Sequence, residues 1–112
     1  MKDHEKLALK FGRHIMLREW DAAHSLLSEE LHSTIAPKDI EREVQSMIAY
    51  ADDEISEVEV VTVMEEWPEK KDNDIGWVYV SLSGSTFVEA VTVVVKKQSS
   101  NMVIRSLEWG RP

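Results

Sequence analysis

The chain has 112 residues, of which 43% are hydrophobic, and this length predicts one domain, residues 1–112, around a single core. Its 21 acidic and 13 basic residues give a formal charge of −8, which repels a phosphate backbone and argues against nucleic acid as a partner. The absence of cysteine excludes disulfides and zinc–thiolate sites. No apolar run is long enough to span a bilayer, and none follows the charged start as a secretory signal would. We therefore expect a cytoplasmic protein with no membrane association and no cofactor.

The apolar residues of the first half recur at helical spacing, as in Leu7, Phe11 and Ile15. A second apolar face restarts at Trp20, which predicts a break between two helices. Proline lacks an N–H group that the first helical turn does not need, so Pro37 is expected to open another helix. The predicted helices are 3–19, 21–32 and a third that begins at Pro37.

From Ser56 onward the apolar residues alternate with a period of two, which predicts strands. The first strand ends before Trp67-Pro68, because proline cannot donate to a ladder. Three further strands are expected at 75–82, 86–97 and 102–109. Helices followed by an antiparallel meander predict an α+β fold, with three N-terminal helices packed on a curved four-stranded antiparallel sheet.

The third strand is apolar on both faces, with Val91, Val93 and Val95 on one side and Ala90 and Val94 on the other. A strand of this kind is normally covered on both sides. The helices cover one side, and a second copy of the chain is the simplest cover for the other. The sequence therefore predicts a homodimer.

The expected turn lengths put four residues of interface-like composition on the outer face of the sheet: Trp77, Tyr79, Arg105 and Trp109. We predict that they lie near the centre of the dimer interface. A one-residue bulge in the first turn would move Trp77 and Tyr79 to the other face. The alternative is therefore that the aromatic residues face the helices and the valines face outward.

The run from Arg18 to Ser28, REWDAAHSLLS, is preceded by Phe11 and Ile15 and followed by Ala36-Pro37, Ile40 and Met47. Together these residues resemble the opening of nuclear transport factor 2-like domains. The resemblance implies a cone-shaped, cystatin-like fold with helices laid across a curved sheet. Members of this family include dehydratases, ketosteroid isomerase-like enzymes, transport factors, immunity proteins and domains with no known ligand, so the resemblance leaves the function open.

The enzymatic members of that family place an aspartate, or a histidine–aspartate pair, on positions that face the pocket. The predicted strands of this chain contain no histidine, and no aspartate occurs in 56–71 or 75–112. No catalytic residue can therefore be transferred from the family.

Glu89 is the best single candidate for catalysis, because it is the charged residue between Phe87 and Val91 on the valine-rich face. A carboxylate buried among apolar groups has a raised pKa and can act as a general acid or base. The alternative is that Glu89 lies near the end of its strand and reaches water at the rim.

His14 and His24 are the candidate proton carriers, and His14, Trp20 and Glu89 are the predicted pocket residues. His14 lies beside the apolar face of the first helix, where it either points into the cone or is a hydrogen-bonded core residue. His24 follows Asp21 by three positions, so the two either form a carboxylate–histidine pair or serve only local structure. The four histidines give no i, i+4 pair, so no metal site is expected.

Two classes of function are compatible with these observations. We favour a non-catalytic, homodimeric domain that binds a protein partner or a small apolar ligand in its cone. An acidic inhibitor of a basic toxin is a narrower form of this hypothesis. The alternative is a small lyase or isomerase that uses Glu89 with His14 or His24.

Overall fold

The structure is a computed structural model that describes residues 1–110. Helices precede strands along the chain, and the strands form one antiparallel sheet in the order β1-β2-β3-β4. The elements are α1 (Asp3–Met16), α2 (Trp20–His24), α3 (Glu29–Thr34), α4 (Pro37–Met47), β1 (Glu57–Met64), β2 (Asp74–Ser83), β3 (Val88–Gln98) and β4 (Asn101–Trp109). The α+β class and the four-stranded antiparallel sheet are confirmed. No helix within residues 1–110 has both the length and the apolar character needed to cross a membrane.

The predicted corner after the first helix is present, but α1 is shorter than expected. Arg18 has a φ of 58°, in the left-handed region that right-handed helices do not use. The helix therefore ends at Met16, before this residue. The Arg18 guanidinium donates to the Glu54 carboxylate at 2.8 Å, which connects the corner to the segment that precedes β1.

The second predicted helix, 21–32, is two short helices, so the prediction of three helices is wrong in number. Between α2 and α3 the chain runs parallel to β4, where the Leu26 carbonyl accepts from Ile104 N–H at 2.9 Å and Ser28 N–H donates to the Ile104 carbonyl at 2.7 Å. These bonds take the backbone out of the helical conformation. The Ser28 hydroxyl then accepts from Leu31 N–H at 3.3 Å and begins α3 as an N-cap.

The start of α4 is as predicted, with Pro37 as the first helical residue. Asp39 accepts a hydrogen bond from Ala36 N–H at 2.8 Å and so satisfies one donor at this helix terminus. Ile40 and Val44 then follow on the buried face of the helix. Local sequence signals alone are therefore enough to place this helix.

The inner face of the sheet is the face that α1 covers, and it is the valine-rich face, as the first of the two sequence interpretations predicts. Directly paired residues of neighbouring antiparallel strands share a face, as Val78 and Val93 do, and so do Val80 and Val91. The completely buried residues of this face are Val78, Val80, Leu82, Val91, Val93, Val95 and Ile104. The hydrophobic core lies between them and the helices.

A bulge in β4 changes which face its last residues occupy. Val94 pairs with Ser106 and Val95 with Ile104, so Arg105 is an extra residue. Beyond this insertion the alternation is reversed, and Trp109 pairs with Val91 on the inner face. The prediction that Trp109 shares the outer face with the aromatic residues of β2 is therefore wrong.

His4, near the start of α1, is buried with 3% exposure. Its imidazole lies against Gly76 of β2, at the position that a Cβ atom on residue 76 would occupy. Within residues 1–110 its Nε2 has no hydrogen-bond partner, and the Glu65 carboxylate lies 3.6 Å away. A hydrogen bond from Lys2 and its charge hold the pKa of that carboxyl below its usual range. The contact between His4 and Gly76 requires that residue 76 has no side chain.

We expect Gly76→Ala to lower the free energy of unfolding by about 1–3 kcal/mol, because the added methyl group overlaps the His4 ring. Urea unfolding measures the change. The control is the same substitution in a His4→Ala background, where the missing ring leaves room for the methyl group. An equal cost in both backgrounds would contradict the contact.

Candidate functional site

Side chains fill the space around Phe11 and Ile15 between the helices and the sheet. Phe11, Ile15 and Ile40 from the helices meet the inner-face residues of the sheet, and each is at most 1% exposed. A cavity beside this part of the core, lined in part by Ile15 and Trp20, measures about 30 Å³. That is room for about one water molecule and far below the size of a ligand site.

Glu89 lies at the rim of the sheet. It belongs to the inner face, opposite Leu82, but it is close to the end of the sheet and partly exposed. Its Oε2 accepts a hydrogen bond from the Tyr50 hydroxyl at 3.0 Å. The structure therefore agrees with the rim alternative for Glu89 and not with a carboxylate enclosed by apolar groups.

Each of the two candidate histidines contacts a residue in a segment that connects two helices. His14 Nδ1 lies 2.9 Å from Glu19 Oε1. His24 Nε2 lies 2.6 Å from the Ile35 carbonyl oxygen, and its ring packs on that of His32 with 4.0 Å between centroids. None of these contacts involves Glu89, so the three candidate catalytic residues form no common site.

Trp20 lines an open groove of about 490 Å³ together with Pro37 and Glu41. Neither His14 nor Glu89 lines this groove. This groove therefore does not combine the three predicted pocket residues His14, Trp20 and Glu89.

The outer face of the sheet carries two stacked aromatic rings. Trp77 and Tyr79 lie two residues apart on β2, with ring centroids 6.4 Å apart and planes 9° apart. The residues directly opposite on β3 are Val94 and Thr92, which are 7% and 5% exposed in the single chain. The small residues of β3 are thus already covered within one copy of the chain.

The apolar surface that remains on this face is therefore that of the two rings and of aliphatic residues around them. Val61, the bulged residue of β1, and Val88, at the start of β3, are each 53% exposed. Met64 of β1 pairs with Trp77 and extends the apolar surface toward one edge.

Arg105, predicted as an interface residue, is held by an intramolecular ion pair. Its Nε donates to Asp74 Oδ1 at 2.7 Å and its Nη2 to Asp74 Oδ2 at 2.6 Å. The Asp74 side chain is completely buried, and that of Arg105 is 20% exposed. Burial raises the pKa of Asp74. The hydrogen bonds from Arg105 and from Lys71 N–H, together with the charges of these two residues, outweigh this effect and hold the pKa below its usual range.

This pair was not predicted, because Asp74 is the last residue of the polar segment 69–74 that precedes the strand predicted at 75–82. A signal was present in Arg105, which follows the apolar residues Val103 and Ile104 on the last strand. A partly buried guanidinium in such a place requires an acidic partner.

A cavity of about 370 Å³ lies between α4, the end of α3 and the end of β4. Ile35, Ile40, Leu107 and Trp109 form its apolar wall, and Asp39, Arg42 and Glu43 are its charged residues. This cavity was not predicted either, because Trp109 was expected on the outer face of the sheet.

Comparisons with known proteins give no relative from which a role can be taken. No family model matches the chain, and neither a curated protein nor a solved structure matches it. Within the described part of the chain, no group of three or more histidine, aspartate or glutamate residues is arranged to hold a metal ion. The candidate sites are therefore the outer sheet face and the cavity beside α4.

We expect Arg105→Met to lower the free energy of unfolding at pH 7 by about 3 kcal/mol, because it leaves the Asp74 carboxylate buried without its partner. The folded-state pKa of Asp74 lies below the unfolded value, so the stabilisation is complete above about pH 4 and is lost as the pH falls through the folded pKa. The difference between wild type and variant should therefore shrink at low pH. Urea unfolding at several pH values measures it.

The control is Lys96→Met, which removes a neighbouring surface ion pair with Glu30, 3.6 Å apart. Glu30 is 74% exposed, so solvent screens this pair and it contributes less than a pair with a completely buried carboxylate. A cost of Arg105→Met as small as that of Lys96→Met would show that the Asp74 pair does not stabilise the fold.

Proposed function

We propose that the chain is a non-catalytic binding domain of the nuclear transport factor 2-like type, which acts as a homodimer joined through the outer face of its sheet. The observation that carries the proposal is the stacked pair of Trp77 and Tyr79 on the outer face, with the exposed Val88 at one end of the same face. Aromatic residues of this kind dominate the energetics of protein interfaces. The proposed occupant of the face is a second copy of the chain.

The size of the face is sufficient for a dimer. Four strands spaced about 4.8 Å apart, with about nine residues of 3.3 Å each, cover roughly 600 Å² as a flat sheet. Side chains make the accessible area larger, which brings it near the roughly 800 Å² that each partner buries in a standard interface. A symmetric dimer would use the same patch on both copies.

The charges on the outer face are compatible with one orientation of two copies. Glu57 and Glu59 lie at one end of the face, and a two-fold axis that runs across the strands would keep these acidic ends apart. The other end carries Lys96 and Arg105, whose charges are balanced by Glu30 and Asp74. This orientation therefore avoids repulsion between like charges.

The order of elements supports the nuclear transport factor 2-like part of the proposal. N-terminal helices lie on one face of a four-stranded antiparallel meander, as the resemblance of the segment around Trp20 implies. The filled interior supports the non-catalytic part, since Glu89 hydrogen-bonds Tyr50 at the rim and both candidate histidines have other partners. Within residues 1–110 these contacts bring neither histidine to Glu89, which favours a binding domain over the lyase or isomerase alternative.

Sedimentation velocity at micromolar concentration tests the dimer. We expect wild type to sediment as a dimer and Trp77→Ala with Tyr79→Ala to sediment as a monomer. Truncating one such anchor commonly costs about 2 kcal/mol or more, so the dissociation constant should rise by about 30-fold or more.

Trp67→Ala is the matched control, because Trp67 lies in the loop after β1 and its ring contacts Lys70. This variant should sediment as wild type does. Val88→Lys is a second test that leaves the core intact, because Val88 is exposed. A monomeric wild type, or a dimer that neither the double variant nor Val88→Lys weakens, would exclude this interface.

A further inference from the structure

The cavity beside α4 has a rigid apolar wall. The Trp109 ring lies 6.2 Å from that of Phe11, centroid to centroid, and Phe11 is completely buried. Leu107 and Trp109 pair with the buried Val93 and Val91, so β3 fixes this end of β4. A wall held in this way exists before a ligand arrives, which reduces the entropic cost of binding.

The opposite wall belongs to α4 and is charged. Asp39 has both carboxylate oxygens occupied, one by Ala36 N–H at 2.8 Å and the other by Arg42 Nη1 at 3.2 Å. The charge of Arg42 is thereby balanced by that of Asp39. Glu43 is exposed at the same cavity, and no hydrogen bond or ion pair involves its side chain within residues 1–110.

The cavity therefore combines an apolar, aromatic wall with one unbalanced negative charge. The net charge of the chain has the same sign, and it raises the local concentration of cations while repelling anions. An indole face also attracts an organic cation through its quadrupole. The volume of about 370 Å³ lies within the range of small-molecule sites.

We propose that this cavity binds a small organic cation, an ammonium group attached to an apolar body. The body packs against Leu107 and Trp109, and the ammonium group lies toward Glu43. This inference rests on the proposed function as a binding domain and names the class of its ligand. It does not depend on the dimer, because the cavity and the outer face lie on opposite sides of the sheet.

Three probes of similar shape test the charge requirement: 2-phenylethylammonium, the neutral 2-phenylethanol and the anionic 3-phenylpropanoate. Titration followed by NMR at the Trp109 indole N–H gives a dissociation constant for each. We expect the cation to bind about threefold to fivefold more tightly than the alcohol, because an ion pair with an exposed carboxylate contributes up to about 1 kcal/mol. The anion should bind more weakly than the alcohol.

Glu43→Gln should reduce the affinity for the cation to that for the alcohol and leave the affinity for the alcohol unchanged. Glu41→Gln is the control, because it removes the same charge from α4 but faces the separate groove beside Trp20. Equal effects of the two substitutions would show that the overall charge of the chain, and not Glu43, causes the preference for the cation. That result would overturn the assignment of Glu43.

Equal affinities for the cation and the alcohol, or no shift at Trp109 with any probe at millimolar concentration, would also overturn the inference. Either result would leave the sedimentation test of the dimer unaffected. A monomeric wild type that binds the cation through Glu43 would instead overturn the dimer and keep the ligand site. The two proposals therefore fail separately.

Discussion

The close approach of α1 to the inner face of the sheet is the constraint on which the rest of the structure depends. A glycine on each partner makes it possible. An added Cβ at Gly12 of α1 would lie 2.5 Å from Val58 Cγ1, and one at Gly76 of β2 would meet the His4 ring. Real carbon atoms do not approach so closely, so a side chain at either position would push the helix away. At the observed separation Phe11 and Ile15 fill the space between α1 and the sheet.

Because side chains fill the space around Phe11 and Ile15, the candidate recognition sites are the outer face of the sheet and the cavity beside α4. Histidines and carboxylates that could serve catalysis hold connections instead, as His24 does with the Ile35 carbonyl and Asp74 with Arg105. Buried polar groups of this kind need partners, and the partners here are structural. Two candidate recognition surfaces are the aromatic outer face of the sheet and the cavity beside α4, where Glu43 carries the charge that is unpaired within residues 1–110.

A single inserted residue in β4 affects both of these sites. The bulge at Arg105 turns Trp109 toward the helices, so the outer face loses one aromatic residue and the cavity gains its wall. The same insertion brings Arg105 to Asp74 at the start of β2. Bulges commonly redirect side chains in this way at functional edges of sheets. Which aromatic residues belong to the outer face and which to the cavity beside α4 therefore depends on the single extra residue in β4.

The sequence by itself determined that helices precede strands and that α4 starts at Pro37, whereas it left open which face of the sheet the helices cover. These features follow from side-chain spacing and from the missing N–H of proline, which act over a few residues. Only the tertiary structure decided the break between α2 and α3, because it depends on hydrogen bonds to Ile104, far along the chain. The burial of His4 depends in the same way on Gly76. The bulge at Arg105 could not be predicted, because the alternating pattern of β4 fits either register. Only the pairing of β4 with β3 selects the register that places Trp109 on the inner face.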